Sequence, residues 1–138
     1  MAANTTPIFV KQGQFTPARI AAANTDNSGG GTLVDVATGG TDGTRIDGIR
    51  FNNSGSTTAA SAATRINIFH TVSSTIRLIG QVLMPAGATK SGTVLGATVS
   101  FTFDAPILLK SGEKISVTST NWASSVDNID ACGFVGDY

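Results

Sequence analysis

The chain has few residues of the kinds that carry catalysis or metal binding. It contains one cysteine, Cys132, and one histidine, His70. A single cysteine excludes an internal disulfide and a zinc site built on several cysteines, and a single histidine excludes a His-rich metal centre. The sequence also lacks the glycine-rich fingerprints of nucleotide-binding loops. It therefore predicts no bound metal and no cofactor.

Charged residues are scarce as well. They make up 13% of the 138 residues, and the nine basic residues balance the nine acidic ones. Average soluble domains are about one-quarter charged. A balanced charge predicts no nucleic-acid partner and no binding to an anionic membrane. Solubility must then come from Ser, Thr, Asn and Gly, unless other protein subunits cover much of the surface.

Long hydrophobic runs are missing too. No apolar run approaches the ~20 residues of a membrane span. The first residues, MAANTTPIFVKQ, have neither the basic region nor the apolar core of a signal peptide. We therefore expect no membrane partner and a chain that is made and folded in a cytoplasm. A chain of 138 residues corresponds to one domain.

No convergent catalytic set is visible. A Ser-His-Asp triad stays open on composition, but there is no G-x-S-x-G motif, and we interpret His70 as a hydrogen-bonded sheet residue. Pairing Cys132 with His70 is the other nucleophilic arrangement that composition allows. The segment 24–30, NTDNSGG, places oxygen donors at alternating positions but lacks the distal Glu of an EF-hand. Most carboxylates fall in turns, where Asp bonds the local backbone. We predict that the protein is not an enzyme.

Short strand patterns separated by polar turns recur along the chain. The predicted strands are 8–11, 15–21, 32–37, 45–52, 64–72, 75–84, 94–103, 107–109, 115–117 and 129–135. No window has sustained helical periodicity with caps. Short strands at such spacing predict an all-β fold, an antiparallel β-sandwich or jelly roll of about eight strands. We assign residues 21–138 to this single domain and residues 1–20 to an extended N-terminal arm.

Alternation along the strands identifies the core. The side chains predicted to be buried are Ile66, Ile68, Leu78, Val82, Val99, Phe101, Phe103, Ile115 and Val117. The segment 75–84 is apolar on both faces, which predicts a strand at the centre of a sheet. Most of the seven Phe residues also occupy strand positions suited to the core.

The segment 105–120, APILLKSGEKISVTST, predicts a β-hairpin. A two-residue loop at 111–112 would set Lys110 opposite Glu113 and Leu108 opposite Ile115. A three-residue loop would instead place Lys110 against Lys114. Because like charges directly opposite one another are destabilising, we favour the two-residue loop.

Two segments are candidates for partner contacts. In the N-terminal arm, Pro7, Ile8, Phe9 and Val10 form a short apolar piece that we predict to dock on a partner by strand addition. A peripheral edge strand is the alternative for this segment, because proline is tolerated at sheet edges. Trp122 and Tyr138, the only Trp and Tyr, are predicted to lie at a subunit interface or a ligand contact. For Trp122, a core position or a subunit interface is favoured over a ligand platform.

Three segments carry a family resemblance: IFHTVSSTIRLIGQVLMPAGATKSG, APILLKSGEKISVTST and the terminal GFVGDY. Residues 64–138 resemble small bacteriophage and prophage virion proteins. The matching positions are His70, 77–78, 109–112 and 136–138. The resemblance implies a structural virion protein, and more narrowly a capsid decoration (cement) protein that binds the major capsid protein as a homotrimer on the capsid surface. A receptor- or glycan-binding knob of a phage tail or head fibre is the alternative.

Overall fold

The computed structural model describes residues 12–55, 60–91, 93–121 and 128–138. These residues form eight β-strands and no helix, which confirms the all-β class. The strands are β1 Gln12–Ile20, β2 Val34–Thr38, β3 Thr44–Asn53, β4 Thr64–Val72, β5 Thr75–Met84, β6 Thr98–Leu109, β7 Lys114–Ser119 and β8 Ile129–Asp137. Within the described ranges, no helix is long and apolar enough to cross a membrane.

The strands form two four-stranded antiparallel sheets. Sheet I has the order β1-β8-β3-β6, and sheet II has the order β2-β7-β4-β5. The first strand therefore neighbours the eighth, the second the seventh, the third the sixth and the fourth the fifth. This nested pairing is the jelly-roll form of the β-sandwich, as the sequence predicts.

The core lies between the sheets and follows the two-residue period of the strands. Its fully buried side chains, each at most 1% exposed, include Ile20, Ile46, Ile49, Phe51, Ile66, Ile68, Leu109, Ile115, Val117 and Ile129. Four predicted core residues are among them: Ile66, Ile68, Ile115 and Val117. Val82, Val99, Phe101 and Phe103 are half-buried against this core.

The prediction that Leu78 belongs to the core is wrong, because its side chain is 37% exposed. The β4–β5 register shifts between Ile68 and Phe69, so that Gly80 opposes Ile68 but Leu78 opposes Phe69. Ile79 is the extra residue of this β-bulge. A one-residue shift moves the following side chains to the opposite face of the sheet, which carries Leu78 outward.

The predicted central position of the segment 75–84 is also wrong. It forms β5, which pairs with β4 alone among the described strands and is an edge strand of sheet II. Its apolar side chains are not all enclosed: Ile79 is 39% exposed and Leu83 is 64% exposed. An edge strand leaves one side of its backbone and several side chains uncovered.

The predicted hairpin at 105–120 does not form. β6 belongs to sheet I and pairs with β3, whereas β7 belongs to sheet II and pairs with β2 and β4. Leu108 therefore lies opposite Arg45 and Ile115 lies opposite His70. The two halves of the segment belong to different sheets because each pairs with strands elsewhere in the chain and not with the other half.

The turn inside this segment does form. The backbone N–H of Glu113 donates to the carbonyl oxygen of Lys110 at 2.9 Å. Gly112 has a φ of 81°, which is the left-handed value required at the third position of a type II turn. The residues 110–113 thus make the predicted tight turn, but the turn crosses from one sheet to the other.

The N-terminal arm is described only in part. Residues 12–20 form β1, an edge strand of sheet I that pairs with β8 along its whole length. Pro17 fits there because an edge strand can lack one N–H donor. Residues 1–11 lie outside the described residues.

Candidate binding face of the first sheet

The residues predicted for partner contacts are only partly visible. Pro7, Ile8, Phe9, Val10 and Trp122 lie outside the described residues. Tyr138 follows β8 and is half-buried, with its backbone N–H donating to the carbonyl oxygen of Gly43 at 3.2 Å. Its side chain also contributes, less than Asp47 does, to raising the pKa of Arg45. These described contacts are made within its own chain.

The single histidine and the single cysteine lie in different sheets. His70 is on β4 of sheet II, with its Nε2 atom 3.5 Å from Glu113 Oε2. Cys132 is on β8 of sheet I, beside Pro17 on one neighbouring strand and Arg50 on the other. The structure therefore does not bring His70 and Cys132 together as a nucleophile and its base.

The loop that carries the calcium-like spacing uses its oxygens locally. Asp26 Oδ1 accepts hydrogen bonds from Ser28 Oγ and from the Ser28 N–H, both at 2.6 Å, and these bonds lower the pKa of Asp26. Asn24 Oδ1 accepts from the Asp26 N–H at 3.0 Å. Across the residues that the structure describes, no group of three or more His, Cys, Asp or Glu is placed to hold a metal ion.

The outward face of sheet I brings together a mixed set of side chains. Because paired residues share a face, the β1–β8 and β8–β3 registers align them in rows across three strands. We call this set the sheet I face: Phe15, Pro17 and Arg19 from β1, Asp130, Cys132 and Phe134 from β8, and Arg50 and Asn52 from β3.

Two aromatic rings form the apolar part of the sheet I face. Phe15 and Phe134 are paired across the strands, with ring centroids 5.2 Å apart and an interplanar angle of 72°. This is the edge-to-face arrangement that aromatic pairs prefer. Phe15 is 66% exposed. The guanidinium carbon of Arg50 lies 5.7 Å from the centroid of Phe134, within cation–π range.

Charges on and beside this face are partly compensated. Arg19 donates to both carboxylate oxygens of Asp130, at 2.7 and 3.2 Å. These bonds lower the pKa of Asp130, against burial, which raises it. Arg45 and Asp47 form a second ion pair, at 2.8 Å. Arg50 has no carboxylate partner among the described residues, so it supplies the uncompensated positive charge of this face.

Two shallow depressions lie side by side on the sheet I face. The larger, of about 570 Å³, is lined by Pro17, Ala18, Arg19, Asn52, Asp130 and Cys132. The smaller, of about 270 Å³, is lined by Phe15, Arg50, Asn52, Cys132 and Phe134. Asn52 and Cys132 belong to both, so the depressions meet and form one elongated surface.

Sequence reasoning missed Phe15 and Phe134 by grouping the Phe residues with the core. The signal was present in β1, where Arg19 follows Phe15 by four positions, an even step. Side chains at that spacing share a face of a strand, and an arginine indicates that this face is the outer one. Ile20, of the opposite parity, is the residue that enters the core.

A second exposed surface lies along β5. Leu78, Ile79 and Leu83 are 37%, 39% and 64% exposed, and we call them the apolar β5 edge. Phe101 of β6 closes over this strand at Gly80, where a Cβ atom would come within 2.5 Å of the Phe101 ring. Glycine at this position therefore lets the two sheets approach each other on the β5–β6 side.

The two surfaces differ in chemistry: the sheet I face combines aromatic rings with charged and amide groups, whereas the apolar β5 edge is aliphatic.

The sequence of the chain matches no protein-family model, and it matches no curated protein.

Proposed function

We propose that the protein is a non-enzymatic structural virion protein, a capsid decoration (cement) protein that binds the outer capsid surface and stabilises the shell. The observation that carries this proposal is the apolar β5 edge, on a chain whose sparse charges cancel. Exposed apolar side chains gathered on one edge of a domain are a feature of subunit interfaces. We propose a homotrimer in which this edge is covered by a second copy.

The geometry of β5 supports that assembly. As the edge strand of sheet II, it has a backbone edge that pairs with no other strand of the described residues. Phe101 and Phe103, half-buried on the adjoining β6, form an edge-to-face pair with centroids 5.3 Å apart beside it. Association through this side would bury the apolar β5 edge. Three copies held rigidly together would bind a repeating capsid lattice with avidity, even if each contact is weak.

A charge placed on the apolar β5 edge tests the assembly. Leu83→Lys puts an ammonium where the interface is proposed, and we expect light scattering to give the monomer mass. Thr38→Lys is the matched control, since it adds the same charge to an exposed position on the opposite edge strand of sheet II. Its trimer should persist. A monomeric parent protein, or a trimer that survives Leu83→Lys, would contradict this arrangement.

Quantitative mass spectrometry of purified particles tests the location. A decoration protein should be present in many copies per particle and should bind expanded capsids that lack it. A few copies per particle would point to a tail component instead. Complete absence from particles would overturn the virion assignment.

We propose that Pro7, Ile8, Phe9 and Val10 contact the major capsid protein. Deleting residues 2–13 removes this segment and only the first two residues of β1. We expect an almost unchanged melting temperature and much lower capsid occupancy. Retained occupancy with a lowered melting temperature would mean that this segment supports the fold rather than the docking.

A receptor- or glycan-binding knob of a tail or head fibre is the second candidate. The exposed Phe15–Phe134 pair favours it, because ligand-binding surfaces present rigid aromatic rings. The copy number per particle separates the two candidates, since a fibre component is present in few copies.

A further inference from the structure

We infer that the sheet I face binds a saccharide that carries a carboxylate group. This assignment does not depend on where the protein sits, because the face would serve on a shell or on a fibre. Three features of the described residues carry it: an exposed aromatic platform, one uncompensated guanidinium, and an oriented amide between two joined depressions.

The aromatic platform supplies the apolar contact. A sugar ring has a face of C–H groups that packs on an aromatic ring. Phe15 and Phe134 hold each other in a fixed edge-to-face geometry, and Phe15 keeps 66% of its surface open. Rings already fixed in position lose little conformational entropy when a ligand covers them.

The guanidinium selects the charge of the ligand. The guanidinium of Arg50 lies over the Phe134 ring, so it is positioned beside the Phe15–Phe134 pair. Arg19 and Arg45 are neutralised by Asp130 and Asp47, respectively. Arg50 is therefore the cation of this face that is available to a ligand among the described residues. A guanidinium binds a carboxylate or a phosphate through two parallel hydrogen bonds, and the carboxylate is the one of these groups that uronic and sialic acids carry.

Asn52 adds an oriented donor at the junction of the two depressions. Its Oδ1 atom accepts from Thr98 Oγ1 at 3.0 Å, which fixes the amide plane. Nδ2 then faces away from that bond and donates to no other described residue. Phe15 to Arg19 spans roughly 13 Å along β1 at the usual strand rise. The joined depressions thus extend beyond one sugar ring and suit an oligosaccharide.

Other anionic partners fit this face less well. Nucleic acid is followed by a track of several cations, whereas this face offers one unpaired arginine on a chain without net charge. A peptide that adds a strand pairs with a free backbone edge, whereas Arg50, Asn52 and Phe134 stand on β3 and β8, which are paired on both sides. Recognition by these three residues therefore depends on their side chains.

Isothermal titration calorimetry of the full-length protein tests the inference. The ligands are an oligogalacturonate, a sialylated oligosaccharide and a neutral galacto-oligosaccharide of matched length. We expect at least one carboxylated ligand to bind roughly tenfold or more tightly than the neutral one, as for a charge-assisted pair of hydrogen bonds. Arg50→Ala should weaken that binding by a similar factor, and Phe15→Ala should weaken it several-fold.

Arg77→Ala is the matched control, because Arg77 is an exposed arginine on β5 of sheet II. Its affinity should equal that of the parent protein. Arg50→Ala and Arg77→Ala should keep the parent melting profile because both side chains are exposed, whereas Phe15→Ala should melt several degrees lower but stay folded at the temperature of the titration. Failure of both carboxylated ligands to bind would overturn the inference, as would equal losses in Arg50→Ala and Arg77→Ala. Single-stranded DNA binding as tightly as the carboxylated sugars would also overturn it. None of these outcomes bears on capsid occupancy.

Discussion

Replacing phenylalanine by alanine on the two faces of sheet I should give very different losses of stability. Phe51 on β3 is 0% exposed, whereas Phe15 on β1 is 66% exposed. Burying a phenylalanine side chain removes roughly 200 Å² from water, worth about 5 kcal/mol. Phe51→Ala should therefore cost about 3 to 5 kcal/mol, as for other enclosed rings. Phe15→Ala should cost about 1 to 2 kcal/mol, because only one-third of its side chain is covered.

Urea unfolding followed by tryptophan fluorescence or circular dichroism measures both losses. For a domain of this size, each kcal/mol lowers the melting temperature by roughly 4 °C, so the two variants should differ by about 10 °C. Because the same side chain is removed at both positions, the difference in stability loss depends mainly on which face of sheet I the residue occupies. Equal losses of stability would contradict the assignment of Phe51 to the core face of sheet I and of Phe15 to its outer face.

Three further changes test other parts of the structure. Gly112→Ala should lower the free energy of unfolding by about 1 to 2 kcal/mol, because a φ of 81° is costly for any residue with a Cβ. Gly13→Ala should be nearly neutral, because no atom lies within 4 Å of the added Cβ. Urea unfolding curves of the two variants test this difference. Phe101→Ala should cost about 2 kcal/mol in the same assay, less than an enclosed ring, because Phe101 is half-buried; a loss of 4 kcal/mol or more would argue for full enclosure. The bonds from Arg19 lower the pKa of Asp130 in the folded protein. This carboxylate therefore stabilises the fold at pH values above its unfolded pKa of about 3.9. The stabilisation is lost as the pH falls through the lower folded pKa. Melting temperatures between pH 2 and pH 6 should therefore fall less steeply at the acid end for Asp130→Asn than for the parent, and parallel curves would contradict this linkage.

Strand positions could be predicted from the sequence because alternation and turn residues are local signals. The β4 pattern of Ile66 and Ile68 leads directly to two fully buried side chains. Sheet membership could not be predicted in the same way. The residues 110–113 form a tight turn in either a hairpin or a sheet-to-sheet crossing, and only the distant partners β3 and β4 decide between the two.

The candidate site was harder to predict than the fold. The sequence pattern predicts that an apolar residue such as Leu83 is buried, yet its side chain is exposed on an edge strand. The bulge at Ile79 changes the face of Leu78, and the neighbouring Gly80 was the local signal for it, since a glycine inside a strand often marks a bulge. Phe15 was predictable from its shared parity with Arg19, but its neighbours Arg50 and Phe134 join it only through the pairing of three strands.

The place of β8 in sheet I has a consequence for how the protein folds. β8 is the last strand in chain order, but it lies between β1 and β3. On the ribosome, β1 and β3 therefore emerge without the strand that joins them, and sheet I cannot close until residues 129–137 are synthesised. Folds dominated by such distant pairings have high contact order and fold in milliseconds to seconds. Until β8 inserts, β1 and β3 expose unpaired edges, so the incomplete chain should be more prone to aggregation than the finished one.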